Sequence, residues 1–101
     1  MGKHETISET EALRRLKALA GWELDGQAIR RKFTFLGFST AVAFVVRLGF
    51  DAEAADHHPD ILINYKRVTL TYTTHSEGGL TEKDFAGAAR ASDLAAAMGG
   101  E

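Results

Sequence analysis

Between Ser8 and Gly21 the leucines Leu13, Leu16 and Leu19 recur at helical spacing. Ser8 stands three residues before Glu11, the spacing of a capping box, so a helix is predicted to start at Ser8 and to end at Gly21. Trp22 to Asp25 then reads as a short strand, and Asp25-Gly26 is a turn signal. From Ala28 to Phe35 the period changes to two. Ile29, Phe33 and Phe35 fall on one side, Arg30, Lys32 and Thr34 on the other, and Arg31 breaks the apolar side. The two segments predict a β-hairpin.

Ser39 is the predicted cap of a second helix that runs to about Asp56. Its first half, Ala41 to Val46, is apolar almost all round, which implies burial on more than one side, as at a subunit interface. Its second half carries Arg47, Asp51, Glu53 and Asp56. Pro59 disfavours helical geometry at His58, so the helix is expected to stop near His57. Ile61 to Tyr65 and Val68 to Thr74 are β-branched and aromatic, which predicts two more strands. In the second of these, Val68, Leu70 and Tyr72 face one way. Thr69, Thr71 and Thr73 face the other, and His75 shares their parity. Gly78-Gly79 is a loop, and Thr81 caps a third helix with Phe85, Ala88 and Ala89 as its early apolar face.

The predicted order is α-β-β-α-β-β-α. It describes an α+β fold: a four-stranded antiparallel sheet with three helices packed on one face, as one domain over residues 1–101. The threonine face of the sheet is left for a ligand or a partner.

Composition narrows the chemistry. A chain of 101 residues supports a single core, burying roughly 60–65% of the unfolded surface. A formal charge of -2 gives no broad attraction to nucleic acid or to an anionic membrane. With no cysteine, disulfides, zinc–thiolate sites and thiol catalysis are excluded, and a reducing, cytoplasmic setting is expected. No apolar run reaches the roughly 18 residues of a membrane span, and no signal-peptide stretch stands at the start. Met1 to Thr6 matches the loose myristoylation pattern, which is short and requires a eukaryotic host.

The histidines carry the candidate chemistry. Two of the four stand side by side in Asp56-His57-His58-Pro59-Asp60, and His75 follows before a glycine pair. Imidazole exchanges protons near neutral pH. Adjacent residues in extended chain point to opposite sides, so His57 and His58 are expected to do different jobs. Pro59 restricts His58, His75 offers a third imidazole, and Asp84 is placed to orient one of them. Plainer readings stand beside these. The His-His pair also fits a solvated helix end favoured by the dipole. Three histidines also suit zinc, although the spacing matches no ligand motif. Asp84 also completes a capping box with Thr81. Trp22 is most simply a core anchor. The Asp-His-His triplet alone is no phosphoesterase site, since those enzymes need further aspartate motifs and a far longer chain.

Taken together, GWELDG at 21–26, FTFLGFSTAVAFV at 33–45, DHHPD at 56–60, NYKRVTLTYTTH at 64–75 and GGLTEKDFAGA at 78–88 resemble the pterin-4a-carbinolamine dehydratase family over about 80 residues. The resemblance implies dehydration of 4a-hydroxytetrahydrobiopterin to quinonoid dihydropterin, which recycles cofactor for aromatic amino acid hydroxylases. It implies no metal and no organic cofactor, and homodimers that extend the sheet, often paired into homotetramers through helices. Some family members also stabilise a dimeric transcription factor, so a non-catalytic pterin-binding or dimerisation-cofactor role is the alternative. Support of molybdenum-cofactor metabolism attaches to other relatives.

Carried over by position, the resemblance implies His57, His58, His75 and Asp84 as the catalytic set. It implies Trp22, Pro59, Ile61, Thr74 and Ser76 as substrate-binding positions. Two departures stand out. Many members have tryptophan where this chain has Ile61, and an acidic residue where it has Ser76. The first bears on pterin stacking. The second removes a charge that would favour an imidazolium at His75.

Overall fold

The computed structural model describes residues 5–101, so the Met1–Thr6 pattern falls largely outside the described residues. Helix α1 spans Glu9–Leu16, strand β1 Glu23–Asp25, strand β2 Ala28–Thr34 and helix α2 Phe38–Ala55. Strands β3 (Asp60–Asn64) and β4 (Arg67–Tyr72) follow, then a 3-10 turn at His75–Glu77 and helix α3 at Glu82–Ala97. The order is the expected one. The four strands form one antiparallel sheet in the order β1-β2-β4-β3, with the helices on one face. No helix among the described residues is long and apolar enough to cross a membrane.

The β2–β4 register explains the core. Ile29 pairs with Tyr72, Arg31 with Leu70, and Phe33 with Val68, so all six point toward the helices. Five are buried apolar or aromatic side chains. Arg31, the polar interruption, lays its guanidinium 4.3 Å over the Phe33 ring and donates to the Ala20 carbonyl at 2.9 Å. Phe44 of α2 sits against Phe33 and Phe35 at 5.5 and 4.8 Å between ring centres. Such ring pairs add about 0.5–1.5 kcal/mol each beyond their buried area.

Several local expectations are corrected. Helix α1 ends at Leu16, not at Gly21, and residues 17–21 form turns. Ala12 is its fully buried residue, while Leu16 and Leu19 pack at the edge of the core. Leu13 is 49% exposed, because it lies a quarter-turn off the Ala12–Leu16 line. Helix α2 starts one residue before Ser39, with Gly37 at the cap and no side-chain cap bond. Burial on more than one side of its first half is not seen within the chain. Ala41 and Phe44 are buried, but Phe38 and Val46 are exposed, as is Phe50 further along. Strand β4 stops at Tyr72, two residues short of Thr74, and His75 leaves the strand for the 3-10 turn. In α3 the inward face continues through Ala88, Ala91, Leu94 and Ala95, whereas Ala89 is exposed.

Candidate active site

Helix α2 ends where Asp56 adopts the left-handed conformation (φ 52°). The His57 amide closes back on the Ala52 carbonyl at 3.1 Å. That reversal, followed by Pro59, turns the chain into β3 and leaves the two imidazoles with different neighbours. Nε2 of His57 lies 2.6 Å from Asp84 Oδ1. Nε2 of His58 lies 2.8 Å from Glu53 Oε1 on the surface of α2. The His57 side chain is 12% exposed and its partner Asp84 0%, against 55% and 81% for His58 and Glu53.

Asp84 is held by the start of α3. Thr81 and Asp84 form a complete capping box. The Thr81 amide donates to Asp84 Oδ2 at 2.9 Å, and the Thr74 hydroxyl donates to the same oxygen at 2.8 Å. Because Thr74 spends its proton there, the Thr81 hydroxyl is the donor in the 2.8 Å contact between the two threonine oxygens. The Lys83 amide in turn donates to the Thr81 oxygen at 3.2 Å. Asp84 therefore accepts from Thr81, Thr74 and His57, the set of partners that makes a buried carboxylate tolerable. Capping and orienting, which the sequence left as alternatives, are both performed by this one side chain.

A carboxylate at Asp84 fixes the His57 tautomer. The shared proton sits on Nε2, and Nδ1 is the nitrogen left for other work. The ring is also held from the side: it stacks on Tyr72 at 5.9 Å between centres with 22° between planes. Tyr72 rests in turn against Trp22, 5.9 Å away. Trp22 is buried, and its indole N–H donates to Ser92 Oγ at 2.8 Å. The tryptophan thus stands in the core behind Tyr72.

The remaining positions are spread over the same end of the sheet. Thr74 is buried, bridged to Gly79 across the 75–78 turn. His75 and Ser76 are exposed in that turn. The His75 imidazole has no partner among the described residues. His75 lines a shallow hollow with Thr73, Gln27 and Gly79. His57 lines a different, mainly apolar hollow between α2 and α3, together with Tyr72 and Gly87. Pro59 is half-buried, and Ile61 pairs with Leu70 on β4 while remaining 38% exposed. Among the described residues no three His, Cys, Asp or Glu groups are arranged to hold a metal ion.

Two participants were not picked out from the sequence. Glu53 precedes His58 by five residues, a spacing no regular helix brings together, and only the reversal at Asp56 makes them neighbours. Tyr72 reads from its parity as plain core. Its one legible signal is a hydroxyl on an otherwise aliphatic face.

Comparison with known proteins adds a second line of support. A family model described as pterin 4 alpha carbinolamine dehydratase matches residues 5–94. A Roseiflexus sp. (strain RS-1) protein named "Putative pterin-4-alpha-carbinolamine dehydratase" is 52% identical over 79 residues, covering 78% of this chain and 85% of its own. A protein of the same name from Chloroflexus aurantiacus is 49% identical over 88 residues, covering 87% and 95%. The crystal structure of a transcriptional coactivator/pterin dehydratase from Brucella melitensis superposes with a TM-score of 0.86 at 42% identity, over 90% of this chain and 99% of that one. A pterin dehydratase-like protein identified as a RuBisCO assembly factor in the alpha-carboxysome superposes with a TM-score of 0.61 at 25% identity, over 73% and 86%.

Proposed function

We propose, on the premise that this chain belongs to the pterin 4 alpha carbinolamine dehydratase family, that it removes water from 4a-hydroxytetrahydrobiopterin to give quinonoid dihydropterin. The observation that carries this reading is the buried Asp84–His57 pair, next in the chain to a second imidazole held by a different, exposed partner.

The reaction needs two proton movements. An acid protonates the hydroxyl on C4a, the C–O bond breaks and water leaves. A base takes the proton from N5, and the C4a=N5 double bond forms. Two imidazoles in opposite protonation states serve both roles near neutral pH. His58, exposed and paired with a surface carboxylate, is the group we assign to direct proton transfer. His57, fixed by Asp84, binds and polarises the substrate through Nδ1, and His75 approaches it from the 75–77 turn. Thr74 and Trp22 act at one remove, through Asp84 and Tyr72. Pro59, Ile61 and Ser76 shape the rim. In this reading the product returns to a reductive step that regenerates tetrahydropterin for aromatic amino acid hydroxylases in the cytoplasm.

Self-association completes the picture. Among the described residues strand β3 pairs only with β4, and Phe38, Val46 and Phe50 are exposed on α2. An unpaired edge and an apolar helix stripe are surfaces that a homodimer or homotetramer would cover.

Stopped-flow loss of 4a-hydroxytetrahydropterin tests the assignment. Acceleration over the spontaneous reaction is expected. Pterin binding without acceleration would favour a non-catalytic role.

A further inference from the structure

The hollow between α2 and α3 is built around Tyr72. That residue is 2% exposed, and its hydroxyl has no hydrogen-bond partner among the described residues. No fully sealed side-chain oxygen or nitrogen among those residues lacks a partner, so the phenol oxygen keeps its access through the hollow it lines. Burial first, then Asp84 and Asp51, pushes the phenol up to about 12, so it remains a protonated donor throughout the neutral range.

The chain gives up helix stability to admit this ring. Gly87 lies inside α3, where glycine costs about 1 kcal/mol relative to alanine. A Cβ there would stand 2.6 Å from Tyr72 Cε1 and 2.8 Å from Cζ. Leu48 and Ala52 of α2 and Ala86 of α3 supply the rest of the apolar wall, with the His57 ring at one side.

Size and charge decide what fits. The hollow has a volume of about 170 Å³. An engineered apolar cavity of about 150 Å³ takes up benzene, so one six-membered ring fits here. The charges at its margin are mostly matched. Arg90 pairs with Asp51 at 2.8 Å, and His57 with Asp84. Lys83, which has no ion-pair partner among the described residues, also lines the hollow. A ligand anion near the hydroxyl would meet Asp51 and Asp84, and a cation would meet Arg90 and Lys83.

We infer that this hollow is a binding compartment for a neutral, single-ring aromatic molecule bearing one hydroxyl group, a phenol, which hydrogen-bonds to Tyr72 and lies against His57. Such binding requires no dehydratase chemistry. It would nevertheless place the ligand on the wall that holds the Asp84–His57 pair.

The test titrates the full chain, labelled with nitrogen-15, with phenol, toluene and benzoate. Saturable shifts are expected at the Ala86 and Gly87 amides with phenol. Tyr72→Phe should weaken phenol about fivefold, the size of one net neutral hydrogen bond, and leave toluene unchanged. Benzoate should bind at least about tenfold more weakly than phenol, because its carboxylate would lose water against apolar walls and face Asp51 and Asp84 near the hydroxyl. Ala52→Leu, which extends a wall residue into the space, should abolish phenol binding in a folded protein. Non-saturating shifts, equal phenol affinity in Tyr72→Phe, or benzoate binding as tightly as phenol would each overturn the proposal.

Discussion

Asp84 Oδ1 lies 2.6 Å from His57 Nε2, and the other carboxylate oxygen accepts from the Thr81 amide and the Thr74 hydroxyl. One side chain therefore both starts α3 and sets the tautomer of an imidazole at the far end of α2. Asp84→Asn separates these tasks. The amide oxygen can still meet Thr81 and Thr74, which turns the amide N–H₂ toward His57 and moves the imidazole proton from Nε2 to Nδ1. The expected results are a loss of about 1–3 kcal/mol in stability, about 10²-fold slower dehydration, and a tautomer exchange visible in the His57 nitrogen resonances. Unchanged resonances would remove the tautomer argument.

The His58–Glu53 contact has nearly the same length and a different weight. Both partners are mainly in solvent, where an ion pair contributes about 0–1 kcal/mol. Glu53→Gln should shift the urea midpoint only slightly, well below the effect of Asp84→Asn. An equal loss from both would mean that burial is not what distinguishes the two histidines.

Gly87 is predicted to be replaceable only together with Tyr72. Alanine at 87 gains about 1 kcal/mol of helix propensity but meets the tyrosine ring at 2.6 Å. Gly87→Ala alone should destabilise the protein. In a Tyr72→Leu background the same change should be neutral or stabilising, giving a coupling of about 1–3 kcal/mol in a double-mutant cycle. Additive effects would show that the ring does not require the glycine.

Tyr72 also gives a pH signature. Its phenol is raised from 10.0 to about 12, by burial first and then by Asp84 and Asp51. A group whose folded pKa is raised contributes stability that is complete below its unfolded value and is lost as pH rises through the folded value. Stability should therefore decline between about pH 10 and 12. A tyrosinate absorbance step near 12 should disappear in Tyr72→Phe. Its persistence in that variant would assign the late step elsewhere.

Much of this was legible in the sequence, for reasons that differ by element. The alternation of Val68, Leu70 and Tyr72 against three threonines fixed the buried face of β4, because a strand with one face in the core has a period of two. Thr81-x-x-Asp84 announced the start of α3, because orphan amides there need acceptors. Helix ends were harder to read. Leu13, Leu16 and Leu19 look like one stripe, but Ala12 is the fully buried residue and α1 stops before Leu19. The site was legible in part. The distinct surroundings of His57 and His58 followed from their adjacency ahead of a proline. Glu53 and the Tyr72 hydroxyl did not follow, because both depend on where distant elements come to rest.

The central claim is that paired, differently held imidazoles drive dehydration. The most direct measurement is stopped-flow loss of 4a-hydroxytetrahydropterin with the wild-type chain and with His57→Ala, His58→Ala and His75→Ala, each first shown to be folded by circular dichroism. Acceleration by the wild type, and a drop of about 10²-fold or more in each variant, is the predicted result. Wild-type protein that leaves the spontaneous rate unchanged, or folded variants as fast as wild type, would contradict it.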